Sequence, residues 1–537
     1  MRIGFATLAI AFLVGCGSKR EDAAGGDAAV DGGIDAAPSR VTVRVLGIND
    51  FHGALEPTTG VGDMLFGGAA RLAARVKAAR TPNSIFVSAG DLIGGSPLAS
   101  GGFHDEPTIR AMNEMGLELN AVGNHEFDEG TGELLRMQTG GCHATDGCAG
   151  ATLFPGAKFG FLAANVRYKS TGKTVFPPYA IREFSGVKVA FVGMTTKNTP
   201  ATTVTSLVDE LVFDDEVETM TALVPKIRAE GAETIVFMVH EGGAQASPAG
   251  VTANSCLSPV GPVFDWLPKL PDEVKVVIAG HYHQMFNCSL SGRVLMESAS
   301  RGHVFSQVDL TFEGGRFLEA TATNETVKGA DAPDPAVDAI VGTYSKLASE
   351  KGDMKVGSIS ETLDGPAMGR VIADAMLQAG AKDGAEVALM NTGGVRASLP
   401  FARSGPELTD GEVRYVELFQ VQPFNNPLTV LTISGDKLLS VLDGNAAVGK
   451  LYVAGMTYSQ TPSAEAGKRV LAAEVLIGGT PLDPTKSYRV VTNSITVAYP
   501  EFVGAPQLGL GIDIDALVAW FGAKSPIGVS PERIFTK

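Results

Sequence analysis

Five short segments, far apart in the chain, hold the residues best suited to chemistry. Asp50-Phe51-His52, Asp91, Asn124-His125-Glu126-Phe127-Asp128, His240 and His281-Tyr282-His283 each follow an apolar run. The chain has only 8 histidines, and five of them stand in these segments, so the imidazoles are concentrated rather than scattered. Imidazole mixed with carboxylate suits borderline divalent ions such as zinc, manganese or iron. One carboxylate, Asp91, could bridge two ions. Two ions about 3.5–4 Å apart clamp a phosphoryl group and acidify the attacking water. Residues i and i+2 of an extended chain point the same way, so Asp50 with His52, and His281 with His283, are each expected to aim two ligands at one place. Taken singly, each piece has a plainer reading: Asn124 as a turn cap, His240 as a strand-end histidine, His281-Tyr282-His283 as a turn. The coincidence of five strand ends carries the metal reading.

The elements that must position these residues are short β-branched runs alternating with amphipathic segments. Strands are expected over 41–48, 84–89, 187–193, 234–239 and 274–279, and a helix over 68–79 from the spacing of Leu72, Val76 and Ala79. Alternation of this kind implies an α/β layer structure, whose ligands gather at the carboxyl ends of the strands. A connecting segment with a helix-like stretch follows over 328–352. From 353 a second α/β region begins, with a helix over 369–379 and strands over 387–390 and 428–434. No internal repeat relates the halves.

At 537 residues the chain exceeds one ordinary domain. Its 45% hydrophobic and 19% charged residues exclude a wholly disordered chain. Beyond the N-terminus no apolar stretch approaches the ~20 residues of a membrane span. With 43 Lys and Arg against 59 Asp and Glu, the net charge of −16 argues against polymeric nucleic acid bound by bulk charge. Residues 1–15 read as an export signal, Arg2 followed by an apolar run. Its end, Leu13-Val14-Gly15-Cys16, resembles a bacterial lipoprotein box, which implies cleavage before Cys16 and lipidation there. Residues 16–40 read as a flexible tether. Four further cysteines in an exported chain suggest disulfides: Cys142 and Cys148 lie close within a Gly-rich loop, and Cys256 and Cys288 would then pair across a longer segment. Free thiols are the competing reading.

Asn49-Asp50-Phe51-His52, Gly90-Asp91, Gly123-Asn124-His125-Glu126-Phe127-Asp128, His240 and Gly280-His281-Tyr282-His283 together resemble the calcineurin-type metallophosphoesterases. More narrowly they resemble the secreted 5′-nucleotidase and UDP-sugar hydrolase family. The resemblance implies a four-layer αββα catalytic domain over 41–327, a linker helix over 328–352 and a substrate-binding α/β domain over 353–537. It implies two divalent ions: one held by Asp50, His52, Asp91 and His283, the other by Asp91, Asn124, His240 and His281. His125 would protonate or stabilise the leaving oxygen, with Asp128 orienting it. The expected substrates are nucleoside 5′-monophosphates or nucleotide sugars, in a cleft that domain rotation opens.

In the second half, Asn391-Thr392-Gly393-Gly394-Val395-Arg396 resembles the family's phosphate-gripping loop, and Gln422-Pro423-Phe424-Asn425-Asn426 the segment whose Phe stacks on a base and whose Asn binds it. Two departures stand out. Thr362 occupies the place of a family Arg, and Ser494 onward lacks the second stacking aromatic and its Asp. Tyr499 and Arg370 are the candidates to compensate. These losses keep other substrates open: a cyclic nucleotide, a non-nucleotide phosphate or a sulfur ester. A surface binding protein without catalysis is a further reading, against which the intact ligand set argues.

Overall fold

The computed structural model describes residues 40–59, 65–148, 153–246, 250–403 and 407–537. The export signal, Cys16 and the tether up to residue 39 lie outside the described residues.

The first half holds two six-stranded sheets. Strands β1 (Arg40–Ile48), β2 (Ser84–Ser88), β3 (Leu119–Ala121) and β4 (Gly160–Leu162) pair in that order, all parallel. The chain then crosses to the second sheet. There β5 (Tyr179–Phe184) lies antiparallel to β6 (Val187–Thr195), while β6, β7 (Thr234–His240) and β8 (Val274–Ile278) run parallel. A hairpin of β9 (Met285–Leu290) and β10 (Arg293–Ser298) completes that sheet, with β10 beside β8. Finally β11 (Val304–Glu313) returns antiparallel to β1, and β12 (Arg316–Thr326) forms the edge.

The central strands are apolar on both faces because both faces are covered. Val43, Val45, Ile85 and Val87 meet Val189, Phe191, Val236 and Met238 in a core between the sheets. Their alternates, Leu46, Ile48 and Phe86, face helices α1 (Ala69–Ala79) and α2 (Glu106–Met115). Ile235, Phe237 and Val239 face α3 (Glu216–Ala229), whose first turn is held by the Asp215 carboxylate accepting from the Val217 and Glu218 N–H groups. The result is the expected αββα order of layers.

The second half is built on a mixed five-stranded sheet flanked by helices. Residues of an inner strand, Val387–Asn391, alternate between two cores: Ala388 and Met390 pack toward helix Gly365–Ala379, Val387 and Leu389 toward helix Gly435–Val448. Helix α4 (Pro335–Gly352) joins the halves. Asp334 caps it, accepting from the Ala336 and Val337 N–H groups, and Pro335 takes the first helical position. The helix expected as a linker is packed on both sides. The Phe103 and Tyr344 rings meet edge-on at 5.2 Å, and Gly352 sits against Leu98 of the first half and Val416 of the second. One apolar core therefore runs from Leu46 through Val341 to Phe521. Both disulfides, Cys142–Cys148 and Cys256–Cys288, are formed.

Candidate metal centre and active site

The carboxyl ends of β1, β2, β3, β7 and β8 lie side by side, and the loops leaving them bring the chemical residues together. Asp50, His52, Asp91, Asn124 and His240 are buried, His125, Asp128 and His281 half-buried, and His283 stands at the rim. Two groups form. Asp50, His52 and His283 converge, with His283 Nε2 3.3 Å from Asp50 Oδ1 and 3.0 Å from His52 Nε2. Asp91, His240 and His281 converge, with His240 Nε2 3.0 Å from Asp91 Oδ2. Asp91 also lies 3.6 Å from His52 Nε2, so its carboxylate stands between the groups.

The expectation from extended-chain alternation fails in its mechanism. Residues 49–53 and 280–284 are not strands. Asp50, His52, Asp91, His281 and His283 all have left-handed backbones, with φ of 50°, 47°, 51°, 76° and 55°. For residues with a Cβ this conformation costs roughly 1–2 kcal/mol. It turns each strand end sharply, so that His281 and His283 go to different groups rather than to one place. Five of the seven proposed ligands carry this strain, and strain of this kind persists where surrounding packing over-determines it.

That packing is visible. Glu126 accepts from the N–H groups of Asp91, Leu92 and Gly123, at 2.9, 2.8 and 2.5 Å, so one buried carboxylate ties the β2 and β3 loops. Burial, then the Asp91 charge, push it up to about 7. Asn49 joins β1 to β10: its Oδ1 accepts from Ser298 N–H, and its Nδ2 donates to Asp50 and to Ala299 O. Gly123 is required by close approach, because a Cβ there would stand 2.1 Å from Asp91 Oδ1. Gly90, at φ 96°, passes within similar reach of His240 Nδ1.

The donor set fits divalent cations on its own chemistry. His52 Nδ1 donates to Gly94 O at 2.7 Å and His240 Nδ1 to Ala89 O at 2.9 Å. Carbonyls only accept, so Nε2 is the nitrogen that each ring turns to the cluster and could give to a cation, the usual outer bond of a metal-bound histidine. Asn124 Oδ1 is buried with no hydrogen-bond partner. Burial pushes Asp91 up, but the His240, His125 and His52 rings outweigh it and hold its carboxyl well below the usual range. Burial pulls His240 down, but Asp91 and Asp50 carry it up to about 10. Burial, then His240, hold His281 down to about 4.

His125 is bound through Nδ1 to Asp128 at 2.7 Å, and its backbone N–H donates to Asp91. Burial pulls the His125 ring down; Asp128 and Asp91 push it up further, so it lies above the ordinary imidazole range.

A cavity of about 800 Å³ opens in front, between the halves. Asn124, His125 and His283 line one wall; Asn391, Arg396, Phe424 and Asn426 line the other, so all four expected substrate residues reach it. Phe424 is half-buried, its ring parallel to that of His125 with centroids 5.5 Å apart, and Arg396 lies over its face. Tyr499 lines the cavity and Arg370 does not: its guanidinium is taken by Ser530 O and Glu532. Thr362 accepts from the Phe401 N–H, and Ser494 donates to Asn426 Oδ1. Three groups escaped the sequence reading. Glu126 was passed over as part of a motif. Lys450 reaches the cavity from a surface turn that nothing in the sequence distinguishes. Arg301 sits under the influence of Arg396 and forms no ion pair among the described residues.

Known proteins resemble this chain in sequence and fold. The family model described as calcineurin-like phosphoesterase matches residues 43–285, and that of the 5′-nucleotidase C-terminal domain matches residues 340–499. The chain is 30% identical to "Endonuclease YhcR" of Bacillus subtilis over 86% of its own length and 37% of that protein's. It is 31% identical to "Cell wall protein Lmo0130" of Listeria monocytogenes over 85% of itself and 63% of that protein. The chain thus spans less than two thirds of either. With a 5′-nucleotidase of Vibrio cholerae it shares 25% identity over 83% of each. Among solved structures, a 5′-nucleotidase precursor from Thermus thermophilus superposes with a TM-score of 0.73 at 23% identity, covering 92% of this chain and 99% of that one. A sulfate thiohydrolase from Thermus thermophilus superposes at 0.67 and 17% identity, covering 92% and 96%. Identities this low carry the fold alone.

Proposed function

Because the chain belongs to the calcineurin-like phosphoesterases that carry a 5′-nucleotidase C-terminal domain, we propose that it hydrolyses nucleoside 5′-monophosphates with two divalent cations. The observation that carries this is the pair of ligand groups meeting at Asp91, at the floor of a cavity whose far wall is Arg396 and Phe424. Asp50, His52, Asp91 and His283 would hold one cation, and Asp91, Asn124, His240 and His281 the other. When bound, the cations supply Lewis-acid polarisation of the phosphoryl group and acidify the attacking water.

The chain's own residues do the rest. Arg396 and Lys450, neither in an ion pair among the described residues, draw the phosphate in. Phe424 and Tyr499 offer faces for the base, and Asn391 and Asn426 offer amides. Water oxygen attacks phosphorus, the ester P–O bond breaks, and the departing oxygen takes the proton from His125 Nε2, the nitrogen that Asp128 leaves free. The protein would work outside the cytoplasm, tethered by lipid at Cys16, as its two disulfides suggest.

A second reading changes the ester and keeps the cations. Thr362 and Arg370 supply no cationic grip, so the hold on phosphate from this half rests on Arg396 and Lys450 alone among the described cavity residues. A sulfur ester, a cyclic nucleotide or a non-nucleotide phosphate would suit that. The test is hydrolysis of AMP with added manganese or zinc, run beside a cyclic nucleotide, a sulfur ester, glycerol phosphate and an oligonucleotide, each followed by its own product. Turnover of AMP above the others is expected. A folded, metal-loaded protein inactive on AMP and active on another ester would move the assignment to that ester, and one inactive on all would leave a binding protein.

A further inference from the structure

A second meeting of imidazoles and carboxylates lies behind His125, away from the cavity. His104, in the turn before α2, stacks on His143 with ring centroids 3.8 Å apart and planes 15° from parallel. Glu129 follows directly on Asp128, and Glu133 stands one helical turn further on, in helix Gly130–Thr139. One ligand atom from each of His104, Glu129, Glu133 and His143 lies within 4.8 Å of every other. A cavity of about 20 Å³ is lined by His104, Glu129 and Glu133 together with His125 and Asp128. That is room for about one water or one ion.

We propose that His104, Glu129, Glu133 and His143 hold an additional divalent cation of the zinc class, which pins the Cys142–Cys148 loop to the segment carrying Asp128. Two imidazoles with two carboxylates form a four-coordinate zinc set with bonds of about 2.0–2.2 Å, so the ligand atoms would draw together to about 3.5 Å from one another on binding. The surroundings are those of an outer coordination layer. His104 Nδ1 lies 2.8 Å from Glu129 Oε2, and its Nε2 lies 2.9 Å from Asp146 Oδ2. A cation on the Nδ1 side leaves the Nε2 proton donating to Asp146, a carboxylate–imidazole–metal chain. Glu133 is held in place by a two-pronged bond from Arg136, at 2.6 and 2.8 Å, and Arg136 reaches Glu106 as well. His143 Nε2 faces Glu129 at 3.7 Å. Its Nδ1 now accepts from the Asp146 N–H at 3.2 Å; with Nε2 on a cation, Nδ1 carries the proton and turns it toward the Asp146 carboxylate, 3.6 Å away. The half-buried rings leave a route for the ion to enter.

The site is independent of the cation pair at Asp91, and the test keeps them apart. The full chain is stripped with a chelator, reloaded with zinc chloride, desalted, and its zinc counted by mass spectrometry. The double variant H104A/H143A is expected to hold one equivalent fewer than the wild type, whatever the wild-type count. The variant H240A is expected to keep the ion that H104A/H143A loses. Zinc-edge anomalous diffraction from wild-type crystals soaked in zinc chloride should place a peak between His104 and His143. Equal zinc in wild type and H104A/H143A overturns the proposal. So does a map with peaks at Asp91 and none at His143, which also decides the matter where the double variant fails to fold.

Discussion

In the proposed mechanism His125 and Asp128, in contact at 2.7 Å, are the pair on which leaving-group protonation depends. Burial alone would drain the His125 proton; the Asp128 and Asp91 charges hold it on the ring above the ordinary imidazole range. An acid with a raised pKa stays loaded as pH rises, so the alkaline limb of kcat is expected above the pH at which free imidazole titrates, as a kcat–pH profile of the wild type would show. Asp128→Asn removes one of those charges. Its kcat–pH profile is expected to show that limb moved to lower pH, with kcat down about 10²–10⁴-fold at most, the usual worth of one general acid. An unmoved limb would mean that another group supplies the proton. Residue types are the most legible level of this chain: of the ligands expected from spacing and resemblance, Asp50, His52, Asp91, His240, His281 and His283 converge, and Asn124 lines the cavity in front of them. Lone residues are not legible in this way. Lys450 and Arg301 have no periodic or motif context, so only three dimensions bring them near the site.

Strands and helices were readable because both faces of each central strand are covered, which leaves an apolar run, and because α1 shows a helical apolar stripe. The turns that end the strands were not readable. Left-handed φ at Asp50, His52, Asp91, His281 and His283 falls on residues with side chains, where no glycine announces it. The strain is imposed from neighbouring loops, by Glu126 and Asn49, and long-range bonds of that kind leave no local signal. The tight fit gives a prediction at this scale. Gly123→Ala puts a methyl 2.1 Å from Asp91 Oδ1 and 2.6 Å from its amide nitrogen, so Asp91 must move. Overpacking of this kind costs about 1–3 kcal/mol. A lowered melting temperature is expected, together with loss of bound metal and activity. Full metal content in a folded Gly123→Ala protein would show that Asp91 is not held where the geometry requires.

Selectivity belongs to the two halves together, since Phe424 and Tyr499 face Asn124, His125 and His283 only because the halves are docked. Base stacking on an aromatic is worth about 1–3 kcal/mol per base in single-strand complexes. Phe424→Ala is therefore expected to raise KM for AMP roughly 5–150-fold, while KM for glycerol phosphate, which has no base to stack, stays near the wild-type value. Equal loss on both substrates would show a structural role beneath His125 instead. That the wall exists was foreseeable from the Pro-Phe segment; that Tyr499 rather than Arg370 belongs to it was not, because the short turns over 494–502 fix the ring's place.

Helix α4 bears on how such proteins can be recombined. Its first residues are tied to the catalytic half through Lys77 and Asp334 at 2.8 Å, and its last residues press on Val416 of the other half. A specificity graft that exchanged only 353–537 would seat a foreign surface on Gly352 and Leu98. One that cut ahead of 335 would abandon the Lys77 tether and the bed that α1 and α2 provide. Chimeras between relatives should therefore carry this helix together with the side chains it touches in both directions, treating the joint as a third exchangeable part.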